Sequence, residues 1–198
     1  MKPNDLRTAI CPGSYDPVTL GHLFKCKGAA EIFDRIVVGV VREPSHKQTM
    51  FSVEERVGFL EEALRDQDNV EVDVFSELVV EFAKRWGAKT MVKGLRVISD
   101  FEWEFQMNHL NRTLAPDVET VYLMSNPQYS FVSSSGVKEV ASFGGGVDEL
   151  VPEPVAAGPE VSDVSAGSSV PSKLEIASRR APMTMAMSAM LNTGQTRR

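Results

Sequence analysis

Cysteine and net positive charge are both scarce in this chain of 198 residues. It has two cysteines, Cys11 and Cys26, which form no metal or redox motif and favour a reducing cytosol. The formal net charge of −6 argues against general binding to nucleic acid or anionic membranes. No apolar run reaches transmembrane length, and the first residues lack the apolar core of a signal peptide. These absences predict a cytoplasmic protein without nucleic-acid or membrane partners.

Short β-branched runs alternate with longer amphipathic runs, which predicts an α/β protein with a parallel sheet flanked by helices. The predicted strands are Thr8–Cys11, Ile36–Val41, Val70–Phe75, Thr90–Val92 and Thr120–Met124. The predicted helices are Gly21–Phe33, Ser52–Arg65, Glu77–Trp86, Ser99–Leu114 and a last one from Ser134 towards Phe143. Ligands of such sheets bind beyond the carboxyl ends of the strands. The segments after strands one, two, four and five are therefore expected to converge on one cleft.

The composition changes after Pro154. Residues 155–198 are rich in Ala, Gly, Ser, Pro and Met and show no sustained period, so they cannot bury enough apolar surface to offset their ordering entropy. The chain is therefore predicted to have one domain over residues 1–154 and a low-complexity, disordered tail over 155–198.

A loop rich in turn residues joins the first strand to the first helix, with the sequence CPGSYDPVTLGH over residues 11–22. Gly13 lets the backbone approach a phosphate closely, and Ser14 offers a hydroxyl. Thr19 is placed to cap the helix, and His22 falls in its first turn, where N–H groups and the helix dipole favour anions. The loop is therefore predicted to be a nucleotide-phosphate site.

Two further segments carry cations to the same end of the sheet. The loop Arg42–Phe51 includes Lys47, which could neutralise a phosphate although a solvated loop lysine is the commoner case. After the fourth strand, Lys93 and Arg96 flank Gly94, a spacing suited to two phosphate groups, with Arg96 able to bind by a bidentate fork.

The fourth segment, YSFVSSS over residues 129–135, leads into a helix. Serines at a helix start cap it, and the remaining N–H groups can hold a phosphate or a ribose. Gly136 in the first turn is expected to weaken that start by up to about 1 kcal/mol relative to alanine.

The fourth helix carries apolar residues that are predicted to belong to the core or to a subunit interface. These are Phe101, Phe105, Leu110 and Trp103, and Trp86 receives the same interpretation. His109 on this helix has no evident partner for catalysis or metal binding.

Taken together and in this order, the four motifs resemble those of the phosphopantetheine adenylyltransferases within the T/HxGH nucleotidyltransferase superfamily. The resemblance covers about residues 8–154. It implies a Rossmann-like, doubly wound, five-stranded parallel sheet. It also implies transfer of adenylyl from ATP to 4′-phosphopantetheine, with Mg²⁺ carried by the ATP phosphates and no metal held by the protein itself. Members assemble as hexamers, so a homohexamer is expected.

The resemblance also assigns the site residues. Catalysis falls to His22, Lys47 and Arg96, and phosphopantetheine binding to Ser14, Lys47, Val79 and Lys93. ATP binding falls to Ser14, Tyr15, His22, Gly94, Leu95, Arg96, Glu104, Tyr129, Ser130, Phe131, Val132, Ser133, Ser134 and Ser135. The second loop is slightly longer than the family pattern, so one alignment makes Lys47 the substrate residue and another makes it His46. Lys47 is favoured because ammonium is charged at neutral pH.

The first helix departs from the family pattern at three positions. Phe24 stands where the family usually has an aspartate, and Lys25 and Cys26 replace apolar residues. These departures, together with Gly136, keep open a degenerate nucleotide-binding protein of the same fold. A nucleotidyltransferase with another acceptor is the second alternative.

Overall fold

Each strand of this chain ends just before a helix or the loop that leads into one, and this alternation builds a parallel α/β sheet. The structure is a computed structural model that describes residues 6–44 and 48–157. The strands are β1 (Thr8–Gly13), β2 (Arg35–Val41), β3 (Val70–Phe75), β4 (Thr90–Leu95) and β5 (Glu119–Met124). The helices are α1 (Leu20–Ile32), α2 (Val53–Ala63), α3 (Val79–Arg85), α4 (Ile98–Leu114), α5 (Ser134–Ser142) and α6 (Glu153–Ala156).

The sheet has the order β3-β2-β1-β4-β5, and all four neighbouring pairs are parallel. The chain therefore moves outward from β1 to β3, then crosses back to β4 on the other side of β1. That reversal is the switch point at which open α/β sheets bind ligands. The predicted five-stranded, doubly wound parallel sheet is confirmed.

The two faces of the sheet bury different side chains of the same strands because successive strand residues point to opposite sides. Ala9 and Cys11 lie in the core shared with α1, α2, α5 and α6, whereas Ile10 lies in the core shared with α3. Gly39 on β2 lacks a Cβ where one would lie 2.4 Å from the ring of Phe82, so only glycine lets α3 pack this closely.

Every predicted strand and helix is present, with ends displaced by a few residues. The largest difference is β4, which runs three residues past Val92 because Lys93, Gly94 and Leu95 continue to pair with β5. Two short elements were not predicted, a 3₁₀ turn at Pro127–Tyr129 and α6. Helix α6 crosses the boundary predicted after Pro154, and Val155 is fully buried in packing against α2.

Helix α4 is mostly exposed, and Asn111 is its one buried residue. Of the two roles predicted for its apolar side chains, the core is therefore wrong, and the subunit interface stays a prediction. Phe101, Trp103, Phe105 and Leu110 are between 49% and 62% exposed. Trp86 is half-buried and donates from its ring N–H to Asp73 at 2.8 Å. His109 is exposed, with its ring against that of Phe105.

Candidate active site

A cleft of about 440 Å³ lies at the carboxyl ends of β1 and β4, on the switch point of the sheet. Three helices begin at it, α1, α4 and α5. The unpaired N–H groups of helix starts attract anions, and the volume is that of an ordinary ligand pocket. Predicted residues that line the cleft are Gly13, Ser14, Thr19, Gly21, His22, Lys93, Gly94, Arg96, Glu104, Val132, Ser133, Ser134 and Ser135.

His22 is held by the residue that caps its own helix. The Thr19 hydroxyl accepts from the backbone N–H of His22 at 3.3 Å, as the sequence predicts for a cap. In return, Nδ1 of His22 accepts from the backbone N–H of Thr19 at 3.1 Å. A ring nitrogen that accepts an N–H cannot carry a proton, so the neutral ring carries it on Nε2. His22, which lines the cleft, therefore carries its ring proton on Nε2.

The two cations after β4 are both paired with carboxylates of α4. Lys93 Nζ lies 3.2 Å from Glu104, and both side chains are largely buried. Arg96 uses its fork on Asp100, with Nε and Nη2 each 3.0 Å from a carboxylate oxygen. The fork that was predicted to bind a phosphate holds the Asp100 carboxylate in this structure, so phosphate binding by Arg96 stays a prediction. A phosphate would have to compete with, or join, these pairs.

The start of α5 is fixed against the first loop. Ser133 caps the helix by accepting from the N–H of Gly136 at 3.0 Å, so the cap forms in spite of the glycine. Ser134 donates to the carbonyl oxygen of Pro17 at 2.9 Å. Arg96 donates from Nη1 to the carbonyl oxygen of Val132 at 3.1 Å. The three contacts hold the serine segment at the cleft.

Tyr15 is a core residue whose side chain is 1% exposed, and it does not line the cleft. Its hydroxyl donates to the carbonyl oxygen of Cys11 at 2.7 Å, and burial raises its pKa well above the ordinary value. A Cβ on Gly13 would lie 2.9 Å from the Tyr15 ring. Gly13 is therefore required for the packing of Tyr15, which is a different reason from the phosphate approach predicted from the sequence.

Lys25 lies beneath the cleft and was not predicted as a site residue. It is 9% exposed, lines the cleft, and donates from Nζ to the Tyr15 hydroxyl at 3.1 Å. Its neighbour Cys26 is a fully buried free thiol. A hydrogen bond with Cys11 lowers the pKa of Cys26 to about 7, against the effect of burial, and the charge of Lys25 contributes to the lowering. A lysine three residues after the histidine of Gly-His at a helix start was the available signal, since His22 and Lys25 share one helix face.

Asp16, in the loop after β1, binds the end of the loop after β2 that leads into α2. Sequence reasoning missed this role. Its carboxylate accepts from the backbone N–H groups of Met50 and Phe51, at 2.9 Å in each case, and lies 2.6 Å from Lys138 Nζ. Burial raises the pKa of Asp16, but the Lys138 and backbone hydrogen bonds outweigh it and leave the pKa below its usual value.

Arg56 binds the start of the same loop, where the chain leaves β2. This guanidinium is 1% exposed and donates to the carbonyl oxygens of Ser14, Val41 and Arg42, each at 2.8 Å. Pro44 and Thr49 of the loop border a small recess that also contains Ser14, Ser134 and Ser135. The loop after β2 therefore adjoins the cleft, whereas His46 and Lys47 lie outside the described residues.

Some predicted contacts do not line the cleft. Val79 is half-buried at the start of α3. Phe131 is 74% exposed, and the remaining members of this group are Leu95, Tyr129 and Ser130.

In residues 6–44 and 48–157, no group of three or more His, Cys, Asp or Glu side chains could hold a metal ion. In the same ranges, no helix is long and apolar enough to cross a membrane.

A parallel sheet whose cleft joins a Thr-x-Gly-His helix start to Lys93, Arg96 and the serine segment defines a nucleotidyltransferase. The family model described as cytidylyltransferase-like matches residues 10–140, which places the chain in that class. The curated relatives narrow the class further. Phosphopantetheine adenylyltransferases of Alkaliphilus metalliredigens and Caldanaerobacter subterraneus are 51% and 50% identical over 148 and 151 residues. The alignments cover 75% and 76% of this chain and 94% of each relative. The chain belongs to the phosphopantetheine adenylyltransferase family.

The same family name is carried by a relative from Thermomicrobium roseum, which is 51% identical over 150 residues, with 75% of this chain and 90% of the relative covered. Among solved structures, a lipopolysaccharide core biosynthesis protein of Thermoplasma volcanium is 18% identical with a TM-score of 0.48. That alignment covers 62% of this chain and 99% of the other.

Proposed function

We propose that the chain transfers the adenylyl group of ATP to 4′-phosphopantetheine, giving dephospho-coenzyme A and pyrophosphate. The observation that carries the proposal is the cleft at the switch point, where three helix starts meet His22, Lys93 and Arg96. The relatives that carry the enzyme name are matched over nine-tenths of their length. The anionic chemistry of both substrates suits this concentration of N–H donors and cations.

In the proposed reaction, a phosphate oxygen of phosphopantetheine attacks the α-phosphorus of ATP in line. The new P–O bond forms as the bond from the α-phosphorus to the β-phosphate oxygen breaks, and pyrophosphate leaves with that electron pair. The attacking phosphate is already anionic, so no general base is required. Catalysis is then positioning together with stabilisation of the developing charge.

His22 supplies the central contact in this scheme. Its Nε2–H donates to a non-bridging oxygen of the α-phosphate, where negative charge accumulates in the transition state. The contact with Thr19 fixes the ring before the substrate arrives, so little reorganisation is needed.

The remaining residues divide between the two substrates. Ser14, Lys47 and Lys93 hold the phosphate of phosphopantetheine. Arg96 and the serine start of α5 hold ATP. Since Arg96 and Lys93 are both paired in this structure, binding exchanges or shares Asp100 and Glu104 with substrate phosphates.

Magnesium enters this scheme with ATP. The carboxylates at the cleft, Asp100 and Glu104, are already paired with Arg96 and Lys93, which leaves a poor donor set for a resident ion. When bound to the ATP phosphates, Mg²⁺ neutralises charge on pyrophosphate as it leaves.

The test is pyrophosphate release by the purified chain with ATP and Mg²⁺, with and without 4′-phosphopantetheine. Release that depends on phosphopantetheine is the expected result. Nicotinamide mononucleotide and phosphocholine (with CTP) serve as alternative acceptors. Release with only one of these acceptors would show that the chain is a nucleotidyltransferase with a different acceptor. ATP binding without release with any acceptor would establish the degenerate nucleotide-binding protein.

The assembly proposed for the chain is a homohexamer in the cytoplasm. Helix α4 and the edge strand β5 expose Ile98, Trp103, Leu114 and Met124, each more than half exposed. Clustered apolar exposure of this kind is typical of subunit interfaces. Native mass spectrometry should give six copies, and Trp103→Glu should reduce that number. A monomer at micromolar concentration would contradict the proposal. The buried free thiols of Cys11 and Cys26 suit the cytoplasm.

A further inference from the structure

Lys25 occupies the floor of the cleft. It follows His22 by three residues on α1, so both side chains project from one face of the helix. A Cβ on Gly94 would lie 3.6 Å from Cδ of Lys25, which places the lysine stem against the end of β4, between Lys93 and the Arg96 that follows the strand. The side chain is 9% exposed, and that remaining exposure is towards the cleft.

The charge of Lys25 is not balanced by a carboxylate in the described part of the chain. An ammonium group has three donors, and one of them reaches the Tyr15 hydroxyl. Among the described residues, the other lysine and arginine side chains that line the cleft, Lys93 and Arg96, are both paired. Burying an ammonium costs free energy, which the Cys26 thiol, with its pKa lowered to about 7, offsets only in part, and a bound anion would offset more of it.

The Tyr15 ring contacts both Lys25 and His22. The Tyr15 ring packs edge-on against the His22 ring, with centroids 5.1 Å apart. Lys25 Nζ lies 5.2 Å from the centre of the same ring. The Tyr15 hydroxyl is fixed by its hydrogen bond to the Cys11 carbonyl oxygen. Because Lys25 Nζ donates to that hydroxyl, the position of the ammonium is fixed as well. Lys25 and His22, which both line the cleft, therefore contact the same buried ring.

We propose that Lys25 binds the phosphate that is transferred, the α-phosphate of the nucleotide, as a second donor beside His22. This inference rests on the proposed function for the identity of that phosphate. Lys25 adds a full positive charge where the neutral His22 ring supplies an N–H dipole. It holds the phosphate in the substrate as well as in the transition state.

The test compares Lys25→Met with Lys27→Met in the full chain. Lys27 lies on the same helix but is exposed and paired with Asp66 at 2.9 Å, so its variant removes the same charge without touching the cleft. The ligands are AMP, adenosine and inorganic pyrophosphate, and their binding is measured by calorimetry without any turnover. Unfolding temperature is measured for each unliganded variant.

Lys25→Met should weaken AMP binding by about tenfold or more, the size of a charge-assisted hydrogen bond. Adenosine and pyrophosphate binding should not change, and Lys27→Met should bind all three ligands as the parent does. The unfolding temperature of Lys25→Met should equal or exceed that of the parent, since a buried charge that is only partly compensated has been removed. Lys25→Arg should retain most of the AMP affinity, which keeps the test open if the methionine variant does not fold.

Unchanged AMP binding with a lower unfolding temperature would make Lys25 a support for Tyr15 alone and would overturn the proposal. A loss confined to pyrophosphate would overturn it too, because Lys25 would then contact the leaving group. If the AMP effect is found but the parent chain shows no phosphopantetheine-dependent turnover, the phosphate contact stands and the proposed reaction fails.

Discussion

The backbone N–H of Thr19 donates to Nδ1 of His22 at 3.1 Å, while the Thr19 hydroxyl accepts from the backbone N–H of His22 at 3.3 Å. One residue therefore ends the loop, caps α1 and sets the tautomer of the histidine at the cleft. The chemistry proposed for His22 depends on this local geometry, which the order Thr-Leu-Gly-His encodes within four positions.

The first prediction concerns the tautomer of His22. In ¹⁵N spectra of the labelled chain at neutral pH, His22 should show a protonated Nε2 and an unprotonated Nδ1. The reason is that Nδ1 accepts an N–H and cannot also donate at the same place. A spectrum with the proton on Nδ1 would contradict the arrangement described here.

The second prediction concerns the contribution of His22 to turnover. His22→Ala should lower kcat by about 10²–10³-fold, the usual effect of losing one donor to a developing oxyanion, while ATP affinity falls much less. His109→Ala is the matched control because His109 is exposed on α4, away from the cleft. Equal losses in kcat and ATP affinity would mean that His22 binds the ground state and the transition state alike.

The third prediction concerns the cap itself. Thr19→Val removes the hydroxyl at constant shape and should lower the free energy of unfolding by about 0.5–2 kcal/mol, with a fall in kcat because the His22 backbone loses its partner. Thr19→Ser keeps the hydroxyl and should restore both quantities. Denaturant unfolding and steady-state kinetics provide the measurements, and a fully stable Thr19→Val variant would speak against the cap.

The fourth prediction concerns acid stability through Asp16. Its pKa is lowered in the folded chain, so its stabilising effect is present above the unfolded value of about 3.9 and is lost as the pH falls through the folded value. Asp16→Asn should lower the free energy of unfolding by about 2–4 kcal/mol at pH 7, because Lys138 then faces an amide. The difference from the parent should shrink below about pH 4.

A constant difference between the two proteins across that pH range would show that Asp16 contributes by shape alone. Lys138→Met is the companion variant. If the carboxylate and the ammonium act as a pair, the double variant should cost less than the sum of the two single variants.

The fifth prediction concerns the second loop. Lys47→Ala should raise the KM for phosphopantetheine with little change in the KM for ATP, because an ammonium charge is lost from the acceptor side. His46→Ala is its control, and the reverse pattern would select the alignment that places His46 at the substrate.

Much of the fold follows from local sequence pattern. Alternating β-branched and amphipathic runs placed all five strands. The start of α2 is equally local, because Ser52 caps the helix by accepting from the Glu55 N–H at 3.2 Å. The end of β4 was missed because Lys93 and Gly94 resemble a loop. Their strand pairing depends on Tyr122 and Leu123 of β5, which lie 29 residues further along the chain.

The candidate site shows the same division between local and distant information. Thr19, His22, Arg96 and the serine segment were predicted from motifs that are contiguous in sequence. The buried roles of Asp16 and Arg56 depend on partners between 14 and 122 residues away, which no local pattern contains. Lys25 resembles an ordinary helix-surface lysine until β4 is placed above it.

The most direct test of the account follows the oxygen atoms of the acceptor. Phosphopantetheine labelled with ¹⁸O in its three non-ester phosphate oxygens is incubated with ATP, Mg²⁺ and the purified chain. The masses of dephospho-coenzyme A and pyrophosphate are then measured by mass spectrometry. Attack by the acceptor phosphate on the α-phosphorus predicts dephospho-coenzyme A that retains all three labels, together with unlabelled pyrophosphate. Label in pyrophosphate, or ATP consumed without dephospho-coenzyme A, would contradict the proposed transfer.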